Sequence, residues 1–91
     1  MKAVLVTTEH RGVFFGYLDG EATKEKLTLK NARNVLYWDA ECKGFMGLAA
    51  IGPVGECRIG PKVSELVIWD ITAVVRVTDE AIPLFEEGPW N

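Results

Sequence analysis

Short apolar runs alternate with polar stretches rich in Gly, Pro, Asn and Asp along the whole chain. The runs Ala3 to Val6 and Val13 to Leu18 enclose a polar connection that contains Gly12, a pattern that predicts a β-hairpin. Its tip gathers Glu9, His10 and Arg11. Lys26-Leu27-Thr28-Leu29-Lys30 alternates strictly and predicts a strand with Leu27 and Leu29 on one face. Asn31 to Asn34 predicts a turn or bulge, because Asn tolerates left-handed backbone angles. Val35 to Trp38 then resumes as strand and closes at Asp39.

Gly44 to Ile51 is apolar throughout, and its period fits either a buried strand with a bulge or a small-residue helical turn. Gly52-Pro53-Val54-Gly55 and Gly60-Pro61 are turn signals that bracket a short strand around Cys57 to Ile59. Leu66 to Trp69 and Ala73 to Val77, separated by Asp70-Ile71-Thr72, are rich in residues that suit a pleated surface. Thr78 is placed to cap a helix, with Asp79 and Glu80 near its positive end, and Pro83 confines that helix to a turn or two.

Such closely spaced strands and turns predict an all-β domain, a sandwich or a barrel. Gly16, Gly44 and Gly47 suit sharp bends, so the expectation is a small, strongly bent barrel. Its strand order is similar to SH3-like and Sm-like barrels, a likeness of fold alone. Residues 1–91 read as one domain, with 79–91 an acidic helical turn and tail. A 91-residue chain has a thin core, so a homo-oligomer is expected to bury the apolar surplus. Phe14, Phe85 and Trp90 are the expected interface residues.

Charge narrows the function classes. The net charge is −3, and four acids without a base fall in the last thirteen residues. The remainder is nearly balanced and has no Lys/Arg cluster, which argues against a protein that tracks duplex nucleic acid. No apolar run is long enough for a membrane helix, and the chain turns polar at Thr7, too early for a signal peptide. A cytoplasmic location follows as the expectation, in the host if a phage encodes the chain. Cys42 and Cys57 lack a C-x-x-C pair and a second His, so no metal or cofactor is expected. Two free thiols are the leading reading; a disulfide, or a metal half-site completed by a second subunit, are the alternatives.

Catalytic motifs are missing: no phosphate-binding G-x-x-x-x-G-K-[ST] loop, no G-x-G-x-x-G, and a single imidazole with nothing nearby that announces a nucleophile. The chain therefore reads as a binding protein and not an enzyme. Arg33 and Arg58 lie beside turn residues, and guanidinium matches phosphate with two parallel hydrogen bonds. His10, Arg11 and Lys62 add cationic donors, and Trp38 offers a stacking surface for a base. These six residues form the candidate ligand site.

The opening T-T-E-H-R-G-V-F-F-G from Thr7 to Gly16, the A-R-x-x-x-Y-W from Ala32 to Trp38, G-L-A-A-x-G-P from Gly47 to Pro53 and C-R-I-G-P from Cys57 to Pro61 carry a further likeness. Through them the chain resembles a family of small uncharacterised proteins borne by phages and prophages. That resemblance implies an accessory protein that binds and blocks something in the host. The leading expectation is sequestration of a phosphate-bearing small molecule, such as a nucleotide immune signal, in an anti-defence role. The alternatives are a protein-binding inhibitor or assembly factor acting on a host protein, and an Sm-like binder of single-stranded RNA, which the acidic balance disfavours.

Overall fold

A computed structural model describes residues 2–9, 12–20, 23, 25–38, 40–54 and 57–87. Six strands form one antiparallel system: β1 (Lys2–Thr8), β2 (Val13–Asp19), β3 (Lys26–Tyr37), β4 (Arg58–Ile59), β5 (Val63–Trp69) and β6 (Ile71–Arg76). A 3-10 turn at Ala40–Cys42 and helix α1 (Gly44–Ile51) sit between β3 and β4, and α2 (Ile82–Glu87) follows β6. The predominantly β character expected from the sequence is therefore what the chain adopts.

The hairpin β1–β2 forms with Lys2 opposite Leu18 and Thr7 opposite Val13. β2 then pairs with β3, β1 with β6, and β3 carries both β5 and β4 on its far side. β5 and β6 thus lie at opposite margins of the order β5-β3-β2-β1-β6, yet only Asp70 joins them. In a flat sheet four inter-strand steps would separate them by about 19 Å. A link from Trp69 to Ile71 spans at most about 7 Å. The sheet must curl until its margins approach, and Asp70 takes a left-handed φ of 57° at that corner. No ladder joins β5 to β6, so the curl stops short of the expected closed barrel.

Curling gives β1 two buried faces. Val4 and Val6 pack with Leu27, Leu29, Ala32 and Ile68 in the hollow of the sheet. Ala3 and Leu5 pack on the outer face with Phe15, Leu48, Ile59, Val77 and Phe85, beneath the two helices. Burying both faces explains why Ala3 to Val6 is a continuous apolar run without alternation.

Of the two readings of Asn31 to Asn34, the bulge holds and not the turn: β3 is one strand of twelve residues, with Asn31 absorbing the irregularity at φ 50° and pairing resuming beyond it. Gly44 and Gly47 bend no strand: they belong to α1, whose residues Leu48 and Ala49 are buried. Gly47 is required by proximity, since a Cβ there would lie 1.8 Å from the Cys42 carbonyl oxygen. Gly16 does bend its strand against β3, where an added Cβ would meet Leu29 Cβ at 2.9 Å.

Candidate functional site

The sequence-designated cations Arg33 and Lys62 do converge, but on the chain's own C-terminal helix. Arg33 stands on β3 opposite Phe15 and is 1% exposed. Its Nε donates to the Gly60 carbonyl at 2.8 Å, and its Nη1 to the carbonyls of Phe85 at 2.8 Å and Glu86 at 3.0 Å. The last carbonyls of a helix have no partner within it, and a cation there also meets the negative end of the helix dipole. Burial holds the guanidinium below its ordinary range, and the Glu86 charge partly offsets that. Lys62 Nζ lies 3.1 Å from Glu86 Oε1 and 3.2 Å from Oε2. Arg33 is thus a buried clamp, withdrawn from solvent because the helix end needs its donors.

Phe85, expected at an interface, is fully buried in its own chain and stacks on Phe15 with centroids 4.5 Å apart and planes 4° apart. Tyr17 meets the edge of Phe15 at 5.6 Å. The Tyr17 hydroxyl holds its proton beyond the ordinary tyrosine range, chiefly through burial and then through the charge of Glu86 and a hydrogen bond to it. Phe14 is half-buried against the inner core. Trp90, His10 and Arg11 lie outside the described residues.

Arg58 remains presented to solvent. It is the first residue of β4 and stands directly across the ladder from Tyr37, which is 53% exposed. Trp38 follows, half-buried against the outer core. The register also fixes what else lies at this end of the sheet. Thr7 opposes Val13 and Phe14 opposes Asn34, so the turn from Thr8 to Gly12 and the end of β3 share it. That turn is held by Thr8 N–H to the Gly12 carbonyl at 3.0 Å and Gly12 N–H to Thr8 Oγ1 at 3.1 Å. An exposed guanidinium beside an exposed aromatic ring can hold a phosphate and a base plane together.

Sequence reasoning missed a second feature, a cleft of 390 Å³ lined by Glu9, Glu25, Trp69, Asp70, Ile71 and Thr72. It forms where the two turns meet: Glu9 N–H donates to the Asp70 carbonyl at 3.0 Å, and the hydroxyls of Thr7 and Thr72 bond at 2.6 Å. Trp69, 59% exposed, reads in the sequence as an ordinary strand aromatic; on β5 it follows buried Ile68, so the strand's alternation turns it outward. Among the described residues the lining carries three carboxylates, Glu9, Glu25 and Asp70, and no cation. Among the described residues no group of three or more His, Cys, Asp or Glu is arranged to hold a metal ion. Nor, among them, is any helix long and apolar enough to cross a membrane.

No curated protein and no solved structure matches the chain. A family model does, along residues 1–85, nearly the whole length over which the curled sheet and its helices are built. The chain belongs to that family, described as a domain of unknown function, DUF6948.

Proposed function

We propose that this chain is a non-catalytic phage or prophage accessory protein that sequesters a phosphate-bearing, nucleotide-like small molecule. The observation that carries the reading is the exposed cross-strand pair of Arg58 and Tyr37. Arg58 supplies the bidentate phosphate contact, and Tyr37, with Trp38 beside it, supplies a face for a base. Because β4 is only two residues long, Arg58 reaches solvent from the margin of the sheet and not from its buried middle. Thr8 and Gly12, which bracket the opening turn, belong to the same end of the sheet by register. Self-association is part of the proposal, with a second copy walling the site.

Thermal shift against a panel of linear and cyclic nucleotides tests it, since a ligand bound only by the folded state raises the melting temperature by mass action. A shift with one ligand class that Arg58→Ala abolishes supports sequestration. No shift across the panel turns the reading aside.

A second reading rests on a separate observation. Leu36, Met46, Ile51, Trp69 and Leu84 are large apolar side chains left 39–74% exposed. So much exposed apolar surface on a small domain suits a protein partner, as an inhibitor or assembly factor would need.

A further inference from the structure

Cys42 ends the 3-10 turn and Cys57 directly precedes β4, yet their Sγ atoms lie 3.5 Å apart. Cys42 is 0% and Cys57 6% exposed, within the outer core. Both thiols face one acceptor: Cys42 Sγ donates to the Val54 carbonyl at 3.3 Å and Cys57 Sγ at 3.2 Å. The Val54 N–H donates in turn to Cys42 Sγ at 3.4 Å. Val54 therefore orients two sulfurs toward each other from one point. Cysteines that served only as small apolar fillers would need neither contact with each other nor a shared partner.

We propose that Cys42 and Cys57 form a buried dithiol that a peroxide converts into an intrachain disulfide. Van der Waals contact between the sulfurs leaves roughly 1.5 Å to close before the bond length is reached. Cys57, the more accessible, reacts first: its thiolate attacks one peroxide oxygen, the O–O bond breaks, and the other oxygen leaves as hydroxide, which takes up the Cys57 thiol proton as water, giving a sulfenic acid. Cys42 sulfur then attacks the sulfenic sulfur, the S–O bond breaks, and the hydroxyl departs with the thiol proton as water. The balance is two thiols and one hydrogen peroxide giving one disulfide and two waters. A dithiol reductant reverses it by exchange.

The bond would close the segment 42–57 around α1, and it would cost the Val54 carbonyl both S–H donors. Since Cys57 adjoins Arg58, oxidation also pins the start of β4. The chemistry does not depend on whether Arg58 holds a ligand.

The test exposes the purified full chain to hydrogen peroxide, followed by intact-mass measurement, peptide mapping and thermal melting. The expected product is about 2 Da lighter, the two thiol hydrogens having been lost. Digestion should give a cross-linked peptide joining Cys42 to Cys57. The melting temperature should rise by roughly 10 °C or more, as a loop of this length implies, and fall again with a dithiol reductant. Cys42→Ala should lose the shift; its persistence there overturns the proposal. Oxygen added to one cysteine without the cross-link overturns it, as does a disulfide between copies. So does an unchanged folded chain under conditions that oxidise the same chain in urea. The mass readout on the unaltered chain decides the matter even if the variant fails to fold.

Discussion

Arg33 Nη1 donates to the Phe85 carbonyl oxygen at 2.8 Å, tying the middle of β3 to the end of the C-terminal helix. The same helix residue lays its ring on Phe15, one strand away, so a polar and an apolar contact dock α2 at one point. The clamp explains how a helix of only six residues, too short to persist alone, is held.

Arg33→Ala should therefore act on stability before it acts on any ligand. It deprives the carbonyls of Gly60, Phe85 and Glu86 of a charged donor and opens a cavity in the outer core. A loss of about 3 to 5 kcal/mol is expected, read as a fall in the urea midpoint. A loss under about 1 kcal/mol would mean the clamp is dispensable.

Arg58→Ala should do the reverse. Its side chain is on the surface, so stability should stay within about 0.5 kcal/mol of the parent. Affinity for a phosphate-bearing ligand should fall about ten- to a hundredfold by titration calorimetry. Arg76→Ala, exposed on β6, is the control and should leave affinity nearly unchanged.

Gly47→Ala places helix propensity against a steric clash. Alanine favours an isolated helix by about 1 kcal/mol over glycine. The new Cβ, however, would need the space of the Cys42 carbonyl, and backbone cannot step aside cheaply. Destabilisation of about 3 kcal/mol or more is expected. A stabilised variant by thermal melting would show that α1 and the 3-10 turn are not held in contact.

Alkaline pH should weaken the fold partly through Tyr17. Its folded-state pKa is raised above the ordinary value of 10.0, first by burial and then by Glu86. Above pH 10 the unfolded chain releases this proton before the folded one does. The stabilisation is therefore complete below pH 10 and drains away as pH climbs toward the folded-state value. Tyr17→Phe should flatten that part of the stability profile, and the Tyr17 carbon resonance should titrate above pH 10. Lys30, whose pKa is raised by its hydrogen bond to Glu65, drifts the same way.

Self-association should show in light scattering as a mass of at least about 20 kDa, two copies of a 10.1 kDa chain. Met46, 74% exposed, and Trp69, 59% exposed, are apolar surface that a second copy can cover. A monomer throughout a dilution series would remove the second copy from the proposed site.

Local chemistry was enough to read much of the fold. Alternation announced Leu27 and Leu29 as inward positions, the Gly-containing connection announced the first hairpin, and Thr78 announced a capped turn, its Oγ1 accepting from Ala81 N–H at 3.2 Å, although the helix itself starts only at Ile82 and runs on past Pro83 to Glu87. These signals depend only on residues a few positions apart. What the tertiary structure decided concerns distant partners. The run from Gly44 to Ile51, open to either strand or helix by its period, lies as helix with Leu48 and Ala49 buried against Ala3, Leu5 and Phe85, partners far along the chain. Arg33, which local reading offered to a ligand, was withdrawn because a helix end fifty-two residues later needed its donors. Arg58 stayed outside because β4 lies at the margin of the curled sheet. A side chain's type is local, but whether it meets solvent or its own chain is settled by which far segment arrives beside it.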